Sequence, residues 1–295
     1  MNKPAFLKLS ISMVIFGSIG FFSKYTGLPA LELVFVRCVS ASAILAVYWL
    51  ATGQYKKERW SIKEMLFILG GGVTLVINWL FLFLAFEKTS VTAAISIYNT
   101  APLIVLVAGW TLFREKFQWG GLLATLAAFI GTIMITVTAS SAFSHVLLVG
   151  SVYAFCAAIF YAGTVMIGTR IKQASPYLVT FLQTFIGVIM LAPFVDFSKY
   201  TGLTPENWTF SLLTGVIHTG IVYLLFYGSI RFLRTSVISA LSYLDPCVAI
   251  LLDIFITGFA PSYMQAAGIA IIFLAVSYTV TQLSHLENHN KFSAG

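Results

Sequence analysis

Four ionisable side chains interrupt long apolar stretches of this sequence: Arg37, His218, Asp245 and Asp253. Asp245 stands ten residues into the apolar run 235–257, about 15 Å of helical rise and so near the middle of a bilayer. An ionisable group at that depth is costly and marks a substrate or ion path by default. The next residue, Pro246, has no N–H and kinks a helix, which leaves a carbonyl in need of a partner. A carboxylate there can hold a substrate ammonium, or bind and release a proton. The competing reading is a structural carboxylate paired inside a helix bundle. His218 stands at similar depth in the run 208–230, and its imidazole exchanges protons near neutral pH. A His218–Asp245 relay is one reading, a packed helix contact the other. Arg37, six residues into 31–51, and Asp253, near the end of 235–257, fall toward one membrane face. They form an outer ion pair, or Arg37 binds a substrate carboxylate.

Neutral polar residues are patterned around these charges. Thr74 and Asn78 are four apart, as are Thr214 and His218, so each pair shares a helix face and Asn78 stands as the counterpart of His218. Thr92, Ser96 and Asn99 repeat the spacing of Thr235, Ser239 and Ser242, a stripe along one face of each helix. Such stripes line a watery path or form packing seams. Tyr98, Tyr161, Tyr223 and Tyr243 carry hydroxyls that need partners when buried. No enzyme motif accompanies them. The sequence has no HExxH, Walker loop or GxSxG, so no cofactor is expected and the chain cannot itself spend ATP. Cys38, Cys156 and Cys247 lack ligand spacing, and His285 with His289 lacks a third ligand, so no metal is expected.

The elements that position these residues follow from composition. Hydrophobic residues make up 59% of the chain and charged residues 9%, with mean hydropathy +0.93. A soluble domain carries roughly a quarter charged residues, so this is an all-α polytopic membrane protein with the lipid bilayer as its partner. The net charge of +7 does not indicate nucleic acid, because the basic residues are scattered between apolar runs. Hydropathy and turn residues place ten spans near 5–23, 31–51, 65–86, 91–113, 117–139, 146–168, 176–195, 208–230, 235–257 and 262–284. With ten spans, Lys3, Lys8, Lys56, Lys57, Arg59, Lys63, Arg114, Lys116, Arg170, Lys172, Arg231, Arg234 and Lys291 share the side of the termini. The other side keeps Lys24, Lys88, Lys199 and Arg37. The positive-inside rule then places both termini in the cytoplasm.

The halves resemble each other. Thr89-Ser90-Val91 matches Thr235-Ser236-Val237, Pro102 matches Pro246, Gln118 to Gly121 matches Gln265 to Gly268, and Pro29 matches Pro176. Five spans per half make the repeat inverted, an arrangement found in secondary transporters with broken helices and a midplane site. The expected division is a first repeat over 1–140, a second over 141–286 and a polar cytoplasmic tail over 287–295. Pro102 and Pro246 are the expected helix kinks.

On these residues the sequence resembles the EamA type of the drug/metabolite transporter superfamily. Phe16-Gly17-Ser18 is similar to the family's Trp-Gly-Ser, and Leu31-Glu32 through Arg37 to its Leu-Glu-x-x-x-x-Arg stretch. Phe113-Arg114-Glu115-Lys116 resembles the Gly-Glu turn after span four, and Leu244-Asp245-Pro246 the Leu-Glu-Pro of span nine. Gly258-Phe259 departs from the Gly-Glu expected after span nine. The resemblance implies a carrier for small metabolites, amino acids or related compounds first, more often exported, working by alternating access. It implies a cavity lined by spans one, three, four, six, eight and nine, in a bacterial cytoplasmic membrane, with protons as the possible coupling ion. The alternatives are a multidrug-type exporter of lipophilic cations, an intramembrane enzyme using Asp245 and His218, and a scaffold with no midplane cavity.

Overall fold

The computed structural model describes the backbone of residues 2–89, 91–115, 117–136, 145–257 and 260–292. Side chains at 91–93, 96, 136, 145–147, 250, 253, 257, 280 and 282–292 lie outside that description. The expectations for Thr92, Ser96, Lys116, Asp253, Gly258-Phe259, His285, His289 and Lys291 therefore fall outside the described residues.

The described chain is helical: α1 Lys3–Gly17, α2 Ile19–Lys24, α3 Ala30–Ala51, α4 Ile62–Lys88, α5 Val91–Tyr98, α6 Ala101–Leu112, α7 Trp119–Thr136, α8 His145–Gly168, α9 Pro176–Leu191, α10 Pro205–Gly215, α11 Val222–Ile230, α12 Thr235–Ser242, α13 Leu244–Thr257 and α14 Tyr263–Phe292. A π-helical turn, Val216–Ile221, joins α10 to α11. Among the described residues seven stretches are long and apolar enough to cross a membrane, and Ala101–Leu112, Trp119–Ile135 and Tyr263–Thr279 are shorter apolar helices. Leu66, Leu123, Ile189, Phe255 and Leu274 are exposed on the outer surface, where lipid rather than water suits them. α14 runs on to Phe292, so residues 287–292 continue the backbone of the last helix beyond its apolar part, Tyr263–Thr279.

Local signals start these helices. The Ser61 hydroxyl caps α4 by accepting from the Glu64 N–H at 3.2 Å. The Ser175 hydroxyl caps α9 in the same way through Leu178, with Pro176 at the first helical position. Thr204 and Asn207 make a reciprocal capping box before α10. Each satisfies N–H groups that have no partner inside the helix.

The packing is pseudo-symmetric. α4 packs on α8 as α11 packs on α1, while α3 meets α9, α6 meets α12 and α7 meets α14 across the repeat boundary. One packing detail fixes the register. A Cβ on Gly72 would meet the Gln183 Cα at 3.1 Å and the Ile186 side chain at 2.9 Å. A Cβ on Gly215 would meet the Arg37 Cα at 3.2 Å and the Ser40 side chain at 2.9 Å. Gly72 and Gly215 thus do the same work, and Gln183 stands where Arg37 stands. The Thr89 match from the sequence does not hold. Thr89 ends α4, whereas Thr235 opens α12, and the counterpart of Thr235 is Val91, the first residue of α5.

α7 and α14 cross at Gly131 and Gly268, where a Cβ on either would press on the other's carbonyl oxygen, at 2.7 and 2.5 Å. Backbone cannot move aside cheaply. Gly268→Val is expected to cost about 1–3 kcal/mol or more through overpacking, read as a lower melting temperature in detergent. An unchanged melting temperature would show that the helices part without cost.

Candidate functional site

A cavity of about 500 Å³ lies between the halves. Its floor is made by two broken helices. α5 ends at Tyr98 and α6 begins at Ala101; α12 ends at Ser242 and α13 begins at Leu244. Pro102 and Pro246 each follow the end of the first segment by four residues, so both deprive the last residue of that segment of its helical N–H partner. The sequence suggested kinks; the chain instead divides each span into two helices. The breaks are tied together, because the Tyr243 hydroxyl donates to the Asn99 carbonyl at 3.1 Å. A carbonyl in the break between α5 and α6 thereby finds its partner beside the other broken helix.

Phe16-Gly17-Ser18 fits against this floor, and each residue has a separate task. Phe16 lines the cavity and meets Tyr223 edge-on at 5.2 Å. Gly17 lets α13 approach, since a Cβ there would lie 2.5 Å from the Asp245 carbonyl. Ser18 ends α1, and its Oγ lies 2.8 Å from His218 Nε2.

Asn99, Pro102, Ser242, Asp245 and Pro246 line the cavity, with Tyr98, Tyr161, Tyr223, Trp79 and Arg37 on its walls. The lining reaches Lys24, exposed at the end of α2, Phe86 near the end of α4, and Gln265 near the start of α14. These mark the membrane face opposite the chain's N-terminus. Gln265 is held in place, donating to the Ile135 carbonyl at 3.1 Å. Spans one, three, four, six, eight and nine all contribute, as the resemblance implied. Arg37 of α3, Ile135 of α7 and Gln265 of α14 add to them.

Neither Arg37, which is buried, nor Asp245, which is half-buried, meets an opposite charge. Arg37 is 1% exposed, donates from Nε to the Thr219 hydroxyl at 3.0 Å and lies under Trp79 and Phe83, with ring centres at 4.7 and 5.3 Å. Its Nη1 and Nη2 have neither a hydrogen-bond partner nor solvent. Asp245 Oδ1 is in the same condition, as is Asn99 Nδ2. No ion pair joins Arg37 to Asp245. The titratable neighbours of Asp245 are Tyr98, Tyr161, Tyr243 and Cys247, none of them basic. A buried charge without a partner, as at Arg37, costs several kcal/mol in order-of-magnitude terms, and with the unpaired Asp245 Oδ1 on the same cavity it points to a ligand that carries both complements.

Other sequence candidates lie elsewhere. His218 sits in the π-helical turn, bonded to Ser18 and packed on Phe22 at 4.8 Å; no hydrogen bond joins it to Asp245, and it does not line the cavity. Asn78 donates to the Ala157 carbonyl at 2.8 Å and to the Tyr98 hydroxyl at 3.4 Å, while Thr74 meets Thr164 at 2.9 Å. That face of α4 binds α8. Nor is Asn78 the counterpart of His218: counting from the caps Ser61 and Thr204, with the extra residue of the π-helical turn, gives Val222. Ser239 is buried and Tyr243 closes the floor; neither borders the cavity. The Asp253 side chain is outside the described residues.

The face of the N-terminus is fastened shut. Glu64 accepts from the backbone N–H groups of Lys172, Gln173 and Ala174 at 2.7, 2.9 and 2.9 Å. Glu58 accepts from the Ser175 backbone N–H at 3.1 Å and from its hydroxyl. Arg231 donates to the Ala174 carbonyl at 2.9 Å, and Lys172 Nζ to the Arg231 carbonyl at 2.6 Å. Partial burial, then the nearby Arg231 and Arg170, hold the Lys172 ammonium below the ordinary lysine range. Glu115, expected as a plain turn charge, accepts from the Thr235 hydroxyl at 2.6 Å and so joins the halves. The opposite face has a lighter fastening at the equivalent place: Asn207 donates to the Tyr25 carbonyl at 2.8 Å.

A bundle of apolar helices in two repeats, with a cavity between them sealed at one face, defines a membrane transporter, here a multi-pass protein of the bacterial cell membrane. Residues 3–137 and 148–281 each match the EamA-like transporter family, and the chain belongs to that family. It is 48% identical over 282 residues to an uncharacterized transporter of Bacillus subtilis (strain 168), YxxF, covering 95% of this chain and 91% of that one. It is 25% identical over 243 residues to a second from the same organism, YwfM, covering 81% and 79%. A protein of known crystal structure shares the fold with a TM-score of 0.80 at 17% identity, covering 93% of this chain and 97% of that one.

Proposed function

We propose that the protein is a secondary carrier for small zwitterionic metabolites, amino acids or close relatives, and that it exports them by alternating access. The observation that carries this reading is the pair of opposite, unmatched charges bordering one cavity. Arg37 takes the carboxylate and Asp245 the ammonium, and the aromatic walls take the apolar remainder. A cavity of this size suits a small organic molecule. A lipophilic cation would leave Arg37 unmatched, which weighs against the multidrug reading. No step of this reading breaks a covalent bond, so the chain is a carrier and not an enzyme.

In this reading the chain crosses the membrane ten times as two repeats, 1–140 and 141–286, with both termini in the cytoplasm. The described state is then outward-facing. Asp245 also serves the coupling, because a substrate ammonium and a proton compete for one carboxylate. Breaking the Glu64, Glu58 and Glu115 contacts opens the cytoplasmic face.

The test uses purified protein in liposomes loaded with radiolabelled amino acid pools, with and without an imposed pH gradient. Efflux above empty liposomes is expected, with a rate that responds to the gradient. Folded protein that releases no pool would overturn the reading.

A further inference from the structure

Four polar atoms are stranded together on the closed side of the molecule. Gln183 is fully buried, and both its Oε1 and Nε2 lack partners. Thr180, three residues earlier on the same face of α9, has an unpartnered Oγ1. The Tyr227 hydroxyl points toward Gln183 from α11 but outside hydrogen-bond geometry, and it too is unpartnered. Stranding a buried polar group costs about 1–3 kcal/mol, so a cluster of them needs a reason.

The repeat supplies one. Gly72 packs on Gln183 as Gly215 packs on Arg37. The aromatic partners correspond as well. Arg37 lies beneath Trp79 and Phe83 of α4, four residues apart. The equivalent positions past the π-helical turn of the other repeat are Tyr223 and Tyr227, also four apart. The cluster is therefore the mirror image of the Arg37 wall, built on the face that is now fastened by Glu64.

We propose that Gln183, Thr180 and Tyr227 form a second ligand subsite, which borders the cavity when it opens to the face of the N-terminus. There it takes the substrate carboxylate through neutral hydrogen bonds. This rests on the carrier reading above and its orientation. The stranded atoms are then satisfied by substrate or water when that face opens and sealed in the state described. Because Arg37 brings a full charge and Gln183 none, the carrier holds a carboxylate more weakly on the cytoplasmic side. The two faces thus differ in affinity although the fold is symmetric.

Two measurements test this, and neither needs transport. Thr180→Cys is exposed to a membrane-impermeant cationic methanethiosulfonate in inside-out and right-side-out vesicles, against the wild-type background. Modification above background is expected only in inside-out vesicles. Glu64→Gln, which loosens the cytoplasmic fastening, should speed it by about tenfold. Absence of modification in inside-out vesicles of the double variant, or equal modification from both faces, would overturn the subsite. The second measurement is Gln183→Met. Replacing stranded polar atoms by apolar ones of similar shape should raise the melting temperature. A lowered melting temperature would mark Gln183 as a satisfied structural residue and sink the proposal. If wild-type liposomes release no pool, the carrier reading falls alone, since accessibility and melting report on the cluster directly.

Discussion

Arg37→Gln is expected to slow efflux of amino acids by roughly ten- to a hundredfold while leaving the corresponding decarboxylated amines within about twofold of wild type. The estimate follows from a charge-assisted hydrogen bond to a carboxylate, about 1.5–3 kcal/mol, with each 1.4 kcal/mol worth a factor of ten. The guanidinium offers two free nitrogens beside the cavity and binds carboxylates in a planar fork that glutamine cannot reproduce. Stability separates this from a structural role. In the empty protein the guanidinium is buried under Trp79 and Phe83 with one hydrogen bond, to Thr219. Removing an unmatched buried charge is often neutral or stabilising, so the melting temperature should hold or rise. Equal losses for amino acids and amines, together with a lower melting temperature, would show that Arg37 only supports the fold.

What the sequence revealed follows from the physics of the bilayer. Arg37 and Asp245 stand out because charge inside an apolar run is costly wherever it occurs, and both border the cavity. The apolar helices were legible for the same reason, and Pro102 with Pro246 marked where the α5–α6 and α12–α13 stretches break. Neutral residues were harder to place. Helical spacing puts Asn78 and Ser239 on a face but does not say which neighbour that face meets, and both turn toward protein. His218 stayed open between relay and packed contact because its partner, Ser18, is two hundred residues away. The π-helical turn that carries it shifts the register between repeats by one residue, which no propensity signals. Glu115 passed for a turn charge because Thr235 reaches it only once α6 and α12 pack together. Gln183 and Tyr227 were missed entirely. The match of Pro29 with Pro176 is one residue out: the helix caps are Pro29 and Ser175, and counting from them places Gln183 opposite Arg37.

Asp245→Asn is the sharpest probe of coupling, since it keeps shape and removes the exchangeable proton. Wild-type efflux should respond to an imposed pH gradient; the variant's should not, with a residual rate equal in both conditions. The carboxylate suits exchange because, among the described residues, no basic side chain pairs with it. Its neighbours are the hydroxyls of Tyr98, Tyr161 and Tyr243 and the Cys247 thiol, and Oδ1 has no hydrogen-bond partner. A fixed cation would hold the aspartate ionised and make proton release independent of substrate. Without one, the group is neutral with a proton or matched with an ammonium, and loading one expels the other. The position at the start of α13 serves the same end. Gly17 presses against the Asp245 carbonyl, and the Tyr243 hydroxyl ties this break to that of α5 and α6. A change of occupancy at Asp245 therefore acts on both broken helices at once, which is what a swing from one face to the other requires. Decarboxylated amines should lose more rate than carboxylates lacking an ammonium when Asp245 is neutralised, the reverse of the Arg37 variant. A variant whose efflux keeps the wild-type ratio with and without the gradient would remove the proton role. One that treats the two ligand classes alike would remove the ammonium site.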